Sequence, residues 1–382
     1  MEFETICVRG GDKPYDRTGA ISVPIYQTAA FAHPGLGRST GYDYSRAQNP
    51  TRECLENIAA NLENGAEAVA FSSGMAALTT LMALFAPGDH LIVSDDLYGG
   101  THRLFSQLTE RGGLRFTFMS TTDAERVAEC CTPATKAVFI ETPTNPMMHV
   151  TDIAAVAARC AGRGIRLIVD NTFLTPALQK PLDLGADIVM HSGTKYLGGH
   201  NDALAGLLVV RDRALAERLR FFSMSLGTGL APFDAWLIIR GIKTLALRVA
   251  RQEENARRIA AWLAERPEVR AVYYPGREDH PQYEVSRRQA KGFGAMISFE
   301  VTETGLVKQI LENVRVIHFA ESLGGVDSLM TYPVLQTHAD IPEEKRLAQG
   351  INDRLLRLSV GIEAAADLIA DLARAFGGQD IE

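Results

Sequence analysis

Through the middle of the chain, short apolar runs alternate with longer segments whose apolar residues recur at helical spacing. The runs are EAVAFSSG, DHLIVSDD, KAVFIETPTNP, IRLIVDNTF and ADIVMHSGTK, each closing in small or polar residues. MAALTTLMALF, LYGGTHRLFSQLTERG and VTDIAAVAARCAGRG lie among them and read as helices. Apolar strands joined by helices predict βαβ units, a mostly parallel sheet covered on both faces, and an α/β fold class. Near residue 240 the texture changes. GIKTLALRVARQEENARRIAAWLAERP reads as long helix, followed by the strand-like GAMISFEV and LLRLSVGIE and a final helix, the pattern of a smaller α+β unit. The first sixty residues, rich in Gly, Pro and Tyr, read as an extended arm with one short helix after Pro50. The expected organisation is an arm over 1–60, a large domain over 61–240 and a small C-terminal domain over 241–382.

Length agrees with two domains, because 382 residues exceed the size at which single cores stop growing. With 46% hydrophobic and 22% charged residues the chain reads as an ordinary globular protein. A net charge of -7 without any basic run argues against nucleic acid and anionic membrane as partners. The opening MEFETICVRGGDKPYD lacks the apolar stretch of a secretory signal, and no window approaches the ~18 apolar residues of a membrane span. The five cysteines, Cys7, Cys54, Cys130, Cys131 and Cys160, are odd in number and fit no disulfide framework, so a reducing cytoplasm is expected. No HExxH, no GxGxxG opening a first βαβ unit and no GxxxxGK[ST] occurs, so neither a metal nor a nucleotide site is expected.

In sheets of this kind ligands meet the carboxyl ends of the strands. Those ends are Ser72-Ser73-Gly74, Ser94-Asp95-Asp96, the stretch Glu141 to Asn145, Asp170-Asn171 and His191-Ser192. Just beyond the last of them, in HSGTKYLGGH, stands Lys195. A lone lysine on such a loop is ordinarily a surface residue. Asp170, at the end of the preceding run, changes that reading, since both side chains can enter one cleft. Lysine forms Schiff bases with carbonyl cofactors. A site for pyridoxal phosphate needs such a lysine, a carboxylate for the pyridinium nitrogen and a place for phosphate. Asp170 can supply the carboxylate, although it can equally cap a helix over Asn171 and Thr172. Gly74 and Met75 sit where a strand turns into a helix whose first N–H groups can receive phosphate, or which is merely capped there. Ser192 and Thr194 offer hydroxyl donors from the lysine loop.

YDYSRAQNPTR, AFSSGMAAL, DDLYGGTHR, ETPTNP, VDNTF, HSGTKYLGGHND, AESLGGVDSL and LLRLSVGIE occur in that order over nearly the whole chain. Together they resemble the Cys/Met-metabolism family of fold-type-I pyridoxal phosphate enzymes. That family holds cystathionine γ-synthases, γ- and β-lyases and acylhomoserine sulfhydrylases. The resemblance implies that Lys195 carries the cofactor and shuttles protons, and that Asp170 pairs with the pyridinium nitrogen. It makes Gly74, Met75, Ser192 and Thr194 the phosphate cradle. Tyr98 is similar to the tyrosine that stacks on the ring and assists proton transfer, and Asn145 to the residue beside its phenolic oxygen. Arg357 resembles the arginine that clamps the substrate α-carboxylate, a task suited to a bidentate guanidinium. Tyr44 and Arg46 resemble the pair that reaches the phosphate of a neighbouring subunit, which implies a homotetramer of catalytic dimers. A tyrosine-rich arm packed on its own domain is the simpler reading of those two.

The choice among reactions turns on few positions. Glu321 opens ESLGG, the form usual in γ-enzymes, where several β-lyases have an uncharged residue. With its neighbour Ser322 it is expected to meet the substrate, and its carboxylate can orient a distal ammonium. A solvated loop glutamate is the plain alternative. Gly100 stands where methionine γ-lyases carry a cysteine, which disfavours methionine cleavage. Asp43 and Arg103 are candidates for the distal end of a substrate. GLGRSTGYDYSR and LQTHADIPEEKR resemble bacterial γ-synthase sequences more than β-lyases. The expected reaction is therefore γ-replacement on an O-acyl-L-homoserine by L-cysteine or sulfide, with γ- or β-cleavage of cystathionine as the alternative. A non-catalytic module on the same fold is opposed by the presence of both Lys195 and Asp170.

Overall fold

A computed structural model of the chain describes residues 1–11 and 18–377; the stretch 12–17 of the expected arm and the last five residues lie outside the described residues. Seven strands make the larger sheet: β1 (Glu67–Phe71), β2 (His90–Ser94), β3 (Arg115–Met119), β4 (Thr135–Glu141), β5 (Arg166–Asp170), β6 (Ile188–Ser192) and β7 (Gly206–Val210). Their order is β1-β7-β6-β5-β4-β2-β3. Every neighbouring pair is parallel except those made by β7, which runs against both β1 and β6.

Both faces of this sheet are covered, so its strands are apolar throughout. Leu167, Val169 and Val189 pack on one side, and Ile168, Ile188 and Met190 on the other. This alternation is the period-two geometry of a strand. It also fixes where the strand ends point. Asp170 and Ser192 continue the second face, whereas Asn171 and His191 continue the first.

The second sheet contains β8 (Val269–Tyr273), β9 (Met296–Val301), β10 (His318–Phe319), β11 (Leu329–Thr331) and β12 (Leu355–Ser359), ordered β10-β11-β12-β9-β8. It is antiparallel apart from the short β10–β11 pairing. Helix Leu245–Ala264 buries Val249, Ala256, Ile259 and Leu263 in a core that runs on into the first face of the larger sheet.

The arm contains two helices rather than one. Helix α1 (Phe3–Arg9) has no side-chain cap and no long apolar stripe, which is why the sequence pattern does not announce it. Helix α2 (Pro50–Leu62) is longer than expected. Asn49 caps it by accepting from Thr51 N at 3.0 Å and Arg52 N at 3.4 Å, and Pro50 stands at its first position. Two further helices frame the site. Ser73 caps α3 (Gly74–Met82) by accepting from Ala76 N at 3.0 Å, and α4 (Gly99–Gly112) starts directly after Tyr98.

Candidate active site

The carboxyl ends of β4, β5 and β6 open into a cleft of about 190 Å³ whose walls include Gly74, Met75, Tyr98, Asn145, Asp170, Ser192, Thr194 and Lys195. Eight residues expected from the sequence are thus brought together. Lys195 lies on the turn after β6, where Gly199 N donates to Lys195 O at 2.7 Å. Gly199 holds a left-handed φ of 72°, and a Cβ there would lie 2.1 Å from the Arg248 guanidinium. A side chain there would strain the backbone and displace that guanidinium, which favours glycine. The Lys195 ammonium donates to Ser322 Oγ at 2.8 Å. Burial and the nearby Arg357 charge pull its pKa down to about 8, with Glu321 opposing. A lysine so placed is partly neutral near neutrality, the form needed to attack a carbonyl or take a proton.

Asp170 accepts from Thr172 Oγ1 at 2.5 Å and from Thr172 N at 3.0 Å. The same hydroxyl accepts from Ser192 N at 2.9 Å, so Thr172 ties the ends of β5 and β6 on the cleft face. Burial raises the Asp170 pKa, and a cation set against it would offset that cost. At the opposite wall α3 comes so close that a Cβ on Gly74 would stand 3.2 Å from Ser192 Cβ. The first N–H groups of α3 have no intrahelical acceptor, and Ser192 faces them. Thr194 spends its hydroxyl partly on its own loop, donating to Ala205 O at 3.3 Å and accepting from Ala205 N at 3.0 Å.

Arg357, on the central strand β12, is only 1% exposed. It donates from Nη1 to Asn145 Oδ1 at 2.7 Å, and from Nη2 to Ser322 O and Thr331 Oγ1, each at 3.0 Å. Its Nε has no partner among the described residues. Burial lowers its pKa to about 10. Ser322 itself holds a φ of 91°, a region that L-residues with side chains rarely adopt. That strained residue touches both cations of the site.

Other expected residues are not in this cleft. Glu321 and Ser322 line a wider opening of about 700 Å³ beside Asp202 and Asp234, joined to the cleft through Thr194 and Leu204. Arg103 pairs with Asp340 on the surface. Asp43 accepts from Ser39 Oγ at 2.8 Å, within the arm. Tyr44, 48% exposed, lies under the Arg46 guanidinium at 5.5 Å, and Arg46 donates to Met224 O at 2.7 Å. Among the strand ends, Asn171 and His191 turn away from the cleft into the core, because each is one residue out of phase with Asp170 and Ser192.

Four supports had no role assigned from the sequence, although Asp96 and Glu141 were among the strand ends expected to meet a ligand. Glu141 lines the cleft and accepts from Tyr98 N at 3.2 Å. Asp96 accepts from Thr144 Oγ1 and from Met147 N, the latter at 3.1 Å. Thr172 joins Asp170 to Ser192, and His338 Nε2 lies 3.1 Å from Asn145 O. Glu141, Asp96 and Thr172 stand inside the quoted motifs, so neighbourhood was their signal. His338 stands in LQTHADIPEEKR, where nothing signalled its contact with Asn145.

The sequence matches the family of Cys/Met metabolism PLP-dependent enzymes over residues 4–377. The chain belongs to that family. It is 51% identical, over 98% of its length and 96% of the relative, to a cystathionine gamma-synthase/O-acetylhomoserine (thiol)-lyase of Bacillus subtilis. It is 48% identical to a cystathionine gamma-lyase of the same organism, covering 98% of this chain and 99% of the other. The crystal structure of cystathionine gamma-lyase from Lactobacillus plantarum complexed with L-serine superposes with a TM-score of 0.96 at 47% identity, covering 99% of each chain.

The chain is therefore a PLP-dependent enzyme of the cystathionine γ-synthase/lyase type, built on the fold-type-I scaffold. The donor set fits pyridoxal 5'-phosphate: an amine of depressed basicity, a carboxyl at the far wall, and helix N–H groups facing a serine hydroxyl. Among the described residues no helix is long and apolar enough to cross a membrane, and no cluster could hold a metal ion.

Proposed function

We propose that the enzyme catalyses γ-replacement: the sulfur of L-cysteine displaces the acyloxy group at Cγ of an O-acyl-L-homoserine, giving L-cystathionine and the free carboxylate. Sulfide in place of cysteine gives homocysteine. The observation that carries this reading is that charges of opposite sign act on Lys195 from Arg357 and Glu321. Arg357 is buried and suited to an α-carboxylate, and Glu321 lines the wider opening, suited to a distal ammonium. Cysteine and cystathionine both carry that far ammonium. The resemblance of GLGRSTGYDYSR and LQTHADIPEEKR to γ-synthases supports replacement over elimination.

Pyridoxal 5'-phosphate, when bound, supplies an electrophilic carbonyl and an electron-withdrawing ring. Asp170 would hold the ring nitrogen. Gly74, Met75, Ser192 and Thr194 would hold the phosphate, and Asn145 and Tyr98 would flank the ring. Lys195 takes and returns protons at the substrate Cα and Cβ, and the Ser322 hydroxyl fixes its position. Arg357 orients the substrate, held in turn by Asn145 and Thr331.

The same reading places a large cofactor domain at 61–240 and a small domain at 241–382. It also makes the enzyme a homotetramer of catalytic dimers in which Tyr44 and Arg46 serve a neighbour's phosphate. Leu36, Phe221, Met224 and Phe233, exposed near that arm or on adjoining helices, support an oligomer. All five cysteines are free thiols, which supports a cytoplasmic enzyme.

The test is product analysis. The cofactor-loaded protein is incubated with L-cystathionine alone, and separately with an O-acyl-L-homoserine plus L-cysteine. Cystathionine formed in the second mixture and left intact in the first is the expected result. Rapid release of 2-oxobutyrate from cystathionine makes the enzyme a γ-lyase, and release of pyruvate makes it a β-lyase.

A further inference from the structure

Behind the cleft, on the opposite face of the ends of β5 and β6, lies a second polar cluster that the chemistry above does not use. Glu63 closes α2 and is 1% exposed, as is His191. His191 Nε2 meets Glu63 Oε1 at 2.6 Å, and Asn171 Nδ2 donates to the same oxygen at 2.9 Å. Asn171 Oδ1 accepts from Gln179 Nε2 at 3.0 Å. Gln179 Oε1 in turn accepts from Gln289 Nε2, on helix Tyr283–Gln289, at 3.2 Å. The chain of bonds runs from the arm helix through the buried Asn171 and Gln179 to the half-buried Gln289 ahead of β9.

Such a cluster is costly to bury, and well-packed apolar residues would stabilise the fold at least as well. It is also incomplete, since Glu63 Oε2 and His191 Nδ1 have no partner among the described residues. Its location explains what it can do. Asn171 and His191 are the chain neighbours of Asp170 and Ser192, turned to the other face. Thr172 ties the two strand ends on the cleft side, and Glu63 ties the same two ends from behind. The His191 ring also opposes the rise that burial gives the Asp170 pKa.

We propose that Glu63 and His191 are a positioning pair for the cofactor site, fixing Asp170 and Ser192 relative to each other without touching the ligand. This rests on the assignment of Asp170 as partner of the ring nitrogen. Supporting contacts of this kind fix the geometry of the groups that do bind. The pair is placed where a shift of one strand end would separate the ring and phosphate anchors of a single rigid ligand.

The experiment compares reconstituted native protein with the variants His191→Leu, His191→Asn, Glu63→Gln and Asp170→Asn. Pyridoxal phosphate affinity is read by fluorescence titration and ring orientation by visible circular dichroism. Thermal unfolding of each apoprotein is recorded in parallel. His191→Leu should weaken cofactor binding by about tenfold or more and reduce the visible dichroism. Glu63→Gln keeps an acceptor for both Asn171 and His191, so it should stay within about threefold of native affinity. If His191→Leu does not fold, His191→Asn, too short to reach Glu63, should show the same loss. Native affinity and native dichroism in a folded His191 variant would overturn the proposal, whatever its unfolding temperature, and reduce the pair to packing. Asp170→Asn separates the two layers. If it too behaves as native, the assignment of Asp170 fails and the pair's role falls with it. If it loses affinity and dichroism while the His191 variants keep them, only the pair's role falls.

Discussion

The floor and the wall of the cleft treat charge in opposite directions for one reason. On the floor, Glu141 and Asp170 line the cleft and Asp96 is buried near Glu141; burial pushes up the pKa of all three carboxyl groups, that of Asp96 to about 7. On the wall, burial pulls Lys195 down to about 8, and it pulls the neighbouring Arg357, fully buried and held by Asn145 and Ser322, down to about 10. The acids and cations share one site, yet no ion pair joins them among the described residues. Asp170 is bound by a threonine, Glu141 by a backbone N–H, Lys195 by a serine, and Arg357 by an amide, a carbonyl and a hydroxyl. Outside the cleft, by contrast, Arg103, Arg159 and Arg277 are paired with carboxylates. Buried charges that do not neutralise one another remain available to the complementary charges of a ligand. A pyridinium and a substrate carboxylate supply them.

The largest break in this comparison comes from Lys195→Ala. It should remove the visible absorbance of bound cofactor and lower turnover by about 10³-fold or more, the range for a group that moves protons in the transition state. A variant that turns over within tenfold of native would remove Lys195 from the chemistry. Next is Arg357→Lys, which keeps a positive charge but loses the guanidinium fork. Hydrogen bonds to charged groups are worth about 1.5–3 kcal/mol, so kcat/KM should fall about 10- to 100-fold, mostly through KM. An unchanged KM would place the substrate carboxylate elsewhere.

Gly74→Ala sharpens the comparison from the neutral side. Its added methyl would press on Ser192 at 3.2 Å, and overpacking of that order should weaken cofactor affinity about tenfold without altering either charge set. The smallest effect belongs to Glu321→Gln. Glu321 raises the Lys195 pKa, so its removal should move that pKa below about 8 and shift the acid limb of the pH–rate profile to lower pH. An exposed ion pair is worth about 0.2–1 kcal/mol, so above the acid limb kcat/KM for cysteine should fall by about threefold at most, while the rate there with sulfide, which has no ammonium, stays unchanged. A shift of the limb to higher pH would contradict the placement of that carboxylate.

Much of the fold was legible because the larger sheet is buried on both sides, so EAVAF, HLIVS, VFIE, RLIVD and DIVM stand out as uninterrupted runs. The antiparallel β7, GLLVV, has the same character but no helix-loop signature around it, and nothing in its residues reveals its direction. Helix α1 is short and uncapped, so it left no trace. Within the site, Lys195, Asp170, Gly74 and Ser192 were legible as residue types at strand ends. Their neighbours Asn171 and His191 were assigned to the ligand face with them. The pleat reverses them, and no single-residue property of Asn or His records that phase. Arg103 and Asp43 drew attention by charge and position in a motif. In the fold Arg103 finds a surface partner in Asp340, and Asp43 stays within the arm. His338 lay in a quoted stretch, yet its role was not legible because it approaches Asn145 from nearly two hundred residues away.

The most direct measurement is the ionisation of Lys195 in the cofactor-free protein. Competitive acetylation across pH, read by mass spectrometry at the peptide that contains Lys195, reports that amine alone. The unmatched-charge arrangement predicts a midpoint near 8, rising in Arg357→Leu and falling in Glu321→Gln. A midpoint at the ordinary lysine value of 10.5, unmoved by either substitution, would contradict it.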